Sequence, residues 1–498
     1  MTDDLSQAAE LVFPGYSFGL DDPDQAAALV ELGVGGFCLY GGAPAEIAAF
    51  TAQMQSLAKR PLLFNADYED GVFSQCPQAT PLPSNMGIGA SGDESLAERK
   101  GALTAKEAKA LGVHWVLAPV VDLAVEPDNP IVNVRAFGSD PALVVRLARA
   151  YLKGLRSGGV LSCLKHFPGH GRTRQDSHLE LARIEGSRAD LAGDMAPFRA
   201  LAAEADSIMT AHLSVPAYEA DGKIPFSLSA AIEPLLRREL AFDGLISTDA
   251  LNMHAVSKNF PEWEAARRAL FGGTDVLLVP ADPKKLVYSL LGAVEKDAAV
   301  AGLAKAALAR IRRAKEKAGL FKDRGLPTPG GLEQVGGAAH RALADVLARG
   351  CLAWAKPLAA PLAFGAKLRY LEPGLTPEEW MGQTFVAELK ALGAQVLAAD
   401  GAPGPDETLV LGSFVRPRAY TGLICHDPDD AAAAQKLLHG AKQSVLACFG
   451  SPFVLDSFRG AQAALCAFSG HEGDQKAAAQ ALFGKLTVSG RLPVVIRA

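Results

Sequence analysis

The chain has 498 residues, 49% of them hydrophobic and 21% charged, a balance that excludes an intrinsically disordered protein. That length exceeds one ordinary hydrophobic core, so two domains are expected. A formal net charge of −6, with no Lys/Arg-rich run, excludes nucleic acid and anionic membrane surfaces as partners.

The N-terminus, Met1-Thr2-Asp3-Asp4, is acidic and has no basic segment followed by an apolar one. No apolar run approaches the roughly 20 residues of a membrane span, so a cytoplasmic protein is expected. From there to about residue 320, short apolar runs alternate with longer amphipathic, Ala-rich stretches. Strands are predicted at 11–13, 36–39, 61–65, 115–118, 160–164, 207–211, 244–247 and 275–279. Helices are predicted at 24–32, 44–57, 95–111, 141–155, 189–205, 230–240, 262–271 and 283–294. Eight strands, each followed by a helix, is the pattern of a (β/α)8 TIM-type barrel. A doubly wound open sheet would have fewer strands and a glycine-rich first turn, which the sequence lacks.

Residues 321–337 read as a Gly/Pro-rich linker. Beyond it the alternation resumes, with helices at 340–353, 377–392, 428–439 and 475–483. The strands predicted there are 362–365, 396–399, 408–412, 444–449 and 464–468. The expected organisation is a barrel over 1–320, then a smaller α/β sandwich domain over 338–498 with a largely parallel sheet. The seven cysteines (38, 76, 163, 351, 425, 448, 466) form no C-x-x-C pair and read as buried reduced thiols.

Polar residues concentrate where the predicted strands end. The third strand leads into Asp67, within Asn65-Ala66-Asp67-Tyr68-Glu69-Asp70-Gly71. The fourth is followed by Asp122 and a loop holding Asn129, Asn133 and Arg135. The fifth opens into Leu164-Lys165-His166-Phe167-Pro168-Gly169-His170-Gly171 and then Asp176-Ser177-His178. The sixth ends in His212 and the seventh in Asp249. In a barrel all of these share the C-terminal rim, where catalytic side chains gather. Taken singly, Asp67 and Asp249 also fit helix N-caps, Arg135 a loop ion pair, and His212 a structural histidine. His166 and His170 are four apart, but Pro168 and Gly169 break any helix that would turn both rings to one metal, so no metal site is expected.

Asp176 and His178 are two apart, so a turn lets the carboxylate hold one ring nitrogen while the other faces a substrate. Asp249 supplies an unpartnered carboxylate at a strand end. One nucleophilic carboxylate and one proton shuttle are the equipment of retaining glycoside hydrolysis. Lys165, Arg135, Asp67 and His166 supply hydrogen bonds for a polyhydroxylated ligand. The His in the acid/base position is neutral once deprotonated and can activate a nucleophile without adding negative charge.

These motifs resemble glycoside hydrolase family 3, in its β-N-acetylglucosaminidase branch, along essentially the whole chain. Besides the His-rich segment, Leu117-Ala118-Pro119-Val120-Val121-Asp122, Arg135-Ala136-Phe137-Gly138, Met209-Thr210-Ala211-His212 and Ser247-Thr248-Asp249-Ala250-Leu251-Asn252-Met253 carry the likeness. Phe449-Gly450-Ser451-Pro452 and Ser489-Gly490-Arg491-Leu492-Pro493 resemble the family's second domain. The resemblance implies Asp249 as nucleophile, His178 as acid/base with Asp176 orienting it, and Asp67, Arg135, Lys165 and His166 as sugar-binding residues of the −1 subsite. It implies a small-molecule glycoside, a terminal β-linked N-acetylglucosamine from peptidoglycan fragments, and neither a metal nor an organic cofactor. Asp67-Tyr68-Glu69-Asp70-Gly71 departs from the Glu-Gly-Gly of many relatives. A phosphorylase, a β-glucosidase and a non-catalytic sugar-binding protein stay open as alternatives, as does the oligomeric state.

Overall fold

The computed structural model describes residues 5–497 apart from 400, 402, 418, 419 and 422, with Leu5 and Ser6 described in backbone only. The chain divides into two compact units that interleave in sequence. The first takes the chain up to Pro81, Ala97–Leu123 and Ala148–His340; the second takes Leu82–Leu96, Ala124–Leu147 and the chain from Arg341 onward.

In the first unit every strand pairing of the inner layer is parallel. Gly15–Ser17, Cys38–Tyr40, Asn65–Ala66 and Trp115–Val116 pair in that order. Trp115 bridges to Leu161, just before the strand Cys163–Phe167, which pairs with Ser207–Thr210, itself paired with Leu245–Thr248. Ser247 bridges to Val276, and Leu277–Leu278 pairs with Val12–Phe13. Cys163–Phe167, Ser207–Thr210 and Leu245–Thr248 are buried along their whole length, as expected of parallel strands covered on both faces. Because the strands all run one way, their C-terminal ends share one edge.

The eight predicted strand positions are occupied, with one change. The first divides at Pro14 into Val12–Phe13 and Gly15–Ser17, since proline has no amide to give a ladder, though its carbonyl accepts from the Cys38 amide at 2.8 Å. The stretch predicted as a helix over 230–240 holds a wide π-type turn, Pro234–Glu239. Helix ends follow local chemistry. Asp22 accepts from the Asp24 amide before Pro23–Leu32, and Gly33, at φ 92°, closes that helix in the left-handed conformation.

The second unit holds a six-stranded sheet in the order Ala353–Lys356, Ala463–Cys466, Gln443–Cys448, Glu407–Ser413, Lys367–Leu371, Gln395–Ala398. All pairs are parallel except Ala353–Lys356, an antiparallel edge strand. That edge strand begins at Ala353, the residue expected to end the 340–353 helix, which stops at Gly350 instead. The strand expected at 362–365 lies at Lys367–Leu371, where Lys367 and Arg369 broke the apolar run. Alternate residues serve opposite cores: Leu409, Leu411, Leu446 and Cys448 pack with Ala434 and Leu438, whereas Val410, Val445 and Ala447 pack with Phe385, Leu389 and Leu482. Met86, Val132 and Val134 complete the first of these cores.

No disulfide joins the seven cysteines; six are buried, but Cys425 is exposed, contrary to the expectation of seven buried thiols. No helix among the described residues is long and apolar enough to cross a membrane.

Candidate functional site

The site is built on the strand Cys163–Phe167 and the loop after it. Lys165 is 1% exposed, and its Nζ donates to Asp67 Oδ1 at 2.6 Å and lies 2.5 Å from Glu69 Oε1. A buried ammonium is tolerated only where carboxylates compensate its lost hydration, and here two do so. The neighbouring His166 donates from Nδ1 to Asp122 Oδ2 at 2.6 Å. Asp122 is fully buried and also accepts the His166 and His170 amides, the latter at 2.7 Å. Burial acts to raise its pKa, but His166 and these hydrogen bonds prevail and hold it below the usual carboxylate value.

Past the strand the chain turns sharply. Gly169 is at φ 124°, and a Cβ on Gly171 would lie 1.8 Å from the Leu123 carbonyl oxygen, so only glycine lets the loop pass there. His170, which sequence reasoning weighed only as a metal ligand, holds the loop closed. Its Nε2 meets Ser177 Oγ at 2.9 Å and its Nδ1 meets Thr173 Oγ1 at 3.0 Å. Ser177 is thereby fixed between Asp176 and His178.

His178 Nδ1 lies 2.9 Å from Asp176 Oδ1, and the same oxygen accepts the His178 amide at 2.8 Å. This arrangement assigns the proton to Nδ1 and turns Nε2 away from the carboxylate. The imidazole keeps 21% of its surface and the Asp176 carboxylate 5%. The His178 carbonyl accepts from the His254 amide at 3.2 Å, which ties this loop to the segment that follows Asp249.

Asp249 follows Leu245–Thr248, its amide donating to the Thr210 carbonyl at 3.1 Å. It is partly exposed, and its Oδ1 accepts from the Ala250 amide at 2.8 Å. It caps no helix; the next one, His254–Ser257, has Met253 at its cap. Burial acts to raise the Asp249 pKa, yet His212, His166 and His178, with the Ala250 amide, together lower it from 3.8 to about 2. The carboxylate is therefore an anion at any ordinary pH. His212 is buried, its Nδ1 at 2.5 Å from Ser227 Oγ and its Nε2 at 2.9 Å from the Ala250 carbonyl. Burial lowers its pKa against the pull of Asp249, and its hydrogen bond to the Ala250 carbonyl props the Asp249 turn.

Cys38 is buried within electrostatic reach of the cluster: its thiol is driven up first by burial and next by Asp67, with Lys165 and Asp249 also acting on it. Asp67, Lys165, His166, Asp176, His178 and Asp249 all belong to the first unit. Arg135 belongs to the second, in a short turn, Asn133–Arg135, where its Nη1 donates to the Ile131 carbonyl at 3.1 Å. Asp122 and Ser177 are the positioning residues that sequence reasoning undervalued. Among the described residues no three His, Cys, Asp or Glu side chains gather as a metal cage. The chemistry on offer is one ionised carboxylate, one carboxylate-held imidazole electrostatically coupled to it, and a polar wall.

Comparison with known proteins matches residues 17–314 to the glycosyl hydrolase family 3 N terminal domain. A beta-N-acetylglucosaminidase/beta-glucosidase of Cellulomonas fimi is 30% identical over 340 residues, 66% of this chain and 60% of that one. The chain thus spans about 60% of that relative's length. Among solved structures, a glycoside hydrolase family 3 beta-N-acetylglucosaminidase from Paenibacillus sp. str. FPU-7 matches 100% of this chain and 99% of its own, with 27% identity and TM-score 0.85. The beta-glucoside phosphorylase BglX matches 99% of this chain and 94% of its own with TM-score 0.89; at 24% identity that likeness is one of fold.

Proposed function

The chain belongs to glycosyl hydrolase family 3, and from that premise we propose that it is an exo-acting, retaining glycosidase removing terminal β-linked N-acetylglucosamine. The observation that carries the reading is the pairing of opposites at one site: Asp249, held ionised with a pKa of about 2, beside His178, hydrogen-bonded to Asp176. In the first step the Asp249 carboxylate attacks the anomeric carbon while His178 Nε2–H protonates the departing oxygen. The C–O bond to the aglycone breaks, and a glycosyl ester forms on Asp249. In the second step the neutral imidazole takes a proton from water, the water oxygen bonds to the anomeric carbon, and Asp249 leaves as carboxylate. Asp176 keeps the ring oriented and compensates its charge in the first step, as an acid/base histidine requires.

We assign Asp67, Lys165 and His166, all in the first unit, to binding of the sugar's hydroxyl groups; for Arg135, in the second unit, a sugar-binding role is proposed from the sequence resemblance alone. The uninterrupted run of parallel pairings in the first unit supports a (β/α)8 barrel over 1–320, with 321–337 leading to an α/β domain over 338–498. We propose peptidoglycan fragments in the cytoplasm as the source of substrate, and no cofactor enters the scheme.

A phosphorylase is the second reading. Once deprotonated, His178 carries no charge and does not repel an attacking phosphate as a carboxylate would. Paired kinetics on aryl β-N-acetylglucosaminide and aryl β-glucoside, each with and without phosphate, test both. Preference for the first substrate and indifference to phosphate are expected. Sugar 1-phosphate as the main product would replace hydrolysis by phosphorolysis, and no turnover of either substrate would overturn the enzymatic reading.

A further inference from the structure

A cavity of about 460 Å³ opens at the N-terminal edge of the first unit's strands, the edge opposite Asp249. Its walls include Glu10, two residues before Val12–Phe13, and Pro61, four before Asn65–Ala66. The floor is an ion cluster. Glu10 accepts from Lys315 Nζ at 2.5 Å and pairs with Arg60, and the Lys315 and Glu10 side chains are 2% and 9% exposed. Burial lowers the Lys315 pKa and Glu10 opposes it, so the ammonium depends on its carboxylate partner.

One carboxylate in this wall faces four cationic side chains, because the helix Ala298–Lys317 adds Lys305 and Arg312. Seven residues apart, these two lie on one helix face with their Cα atoms about 10 Å apart. Neither is needed by the Glu10 cluster. Arg312 pairs at 3.2 Å with Glu316, both exposed, and Lys305 has no partner among the described residues. The rest of the wall is apolar at Leu308 and Phe321, and Phe321 is half exposed with the Arg312 guanidinium 6.0 Å from its ring centre.

The wall thus carries more positive than negative charge: Lys315 and Glu10 compensate each other in its buried floor, while Lys305 and Arg312 are exposed and open to an anion from solvent. The cavity's size suits a small organic ligand, and arginine with lysine is the donor set that takes phosphate. We infer that this cavity binds a small phosphate ester, its phosphate held by Lys305, Arg312 and Arg60 and its organic part laid against Leu308 and Phe321. A sugar phosphate and a nucleoside monophosphate share that chemistry: a dianion on a body with a flat or apolar face.

The test is calorimetric titration of the full chain, at low ionic strength, with glucose 6-phosphate, adenosine 5′-monophosphate and inorganic phosphate. One ester is expected to bind with a dissociation constant below about 1 mM and more tightly than phosphate alone. The K305E/R312E double variant should weaken that binding by at least about tenfold while leaving glycosidase turnover unchanged. The ester that binds identifies the source. Absence of binding by either ester, equal affinity for phosphate alone, or unchanged affinity in the double variant would each overturn the assignment. Should charge reversal lower the melting temperature, K305Q/R312Q provides the same comparison with the helix intact.

Discussion

Asp176 holds His178 through two hydrogen bonds to one carboxylate oxygen, from ring Nδ1 at 2.9 Å and from the backbone amide at 2.8 Å. The double attachment fixes both the tautomer and the direction of Nε2, as the proposed proton transfer requires. His178→Ala should therefore slow aryl glycosides with poor leaving groups by about 10²–10⁴-fold and activated ones far less, because only the former need the proton. Asp176→Asn should follow the same pattern, since an amide can hold the ring in the wrong tautomer. A series of phenols of graded acidity measures this. A uniform loss across the series would make His178 a structural residue.

Burial acts to raise the Asp249 pKa, but His212, His166, His178 and the Ala250 amide prevail and bring it to about 2, so the carboxylate is an anion at neutral pH. Its neutral isostere keeps the size and loses the charge that the proposed nucleophile needs. Asp249→Asn should lower kcat by at least about 10³-fold with the circular dichroism and melting curve of the parent protein. A 2-deoxy-2-fluoro glycoside that stalls after the first step should leave its sugar on the peptide holding Asp249, read by mass spectrometry. A label on another carboxylate, or near-normal turnover by the variant, would move the nucleophile elsewhere.

Ser177 makes no proposed contact with substrate, yet it is 2% exposed and bonded to His170 Nε2 at 2.9 Å. Its hydroxyl braces the turn that carries both dyad residues. Ser177→Ala removes that brace and leaves a buried ring nitrogen short of this partner, a loss of about 1–3 kcal/mol. The expected result is a fall in kcat of roughly tenfold on poor leaving groups, a nearly unchanged KM and a lowered melting temperature. A fall in stability with kcat intact would show that the brace serves the fold alone.

Which features the sequence discloses depends on how far their causes reach along the chain. Cys163–Phe167 and its loop are legible because a short apolar run followed by Pro168, Gly169 and Gly171 is a local signal, and the Asp176–His178 bond spans two residues. Asp122 is different. It looks like one more rim carboxylate, but it sits fully buried and its partners, His166 and His170, are 44 and 48 residues away. Arg135 shows the limit more sharply. Its segment follows the fourth strand, yet it compacts with the second unit, because Val132 and Val134 share a core with Leu409, Leu411 and Leu446. Such a core is set by packing between segments about 300 residues apart, for which local periodicity carries no record.

His114 lies 2% exposed just before Trp115–Val116, with its Nδ1 3.0 Å from the Gly112 carbonyl. Burial is the main cause that lowers its pKa from 6.5 to about 4, with the Gly112 hydrogen bond opposing. The unfolded chain therefore binds a proton here that the folded chain refuses wherever the pH lies between those values. The stabilising contribution is whole above 6.5, shrinks as the pH falls through the window, and is spent below about 4. Across the window it amounts to about 3 kcal/mol. His114→Gln removes the titration, so urea unfolding at about pH 7.5 and about pH 4.5 should show the parent losing about 2–3 kcal/mol more than the variant. Equal losses in the two proteins would place the acid sensitivity on other groups.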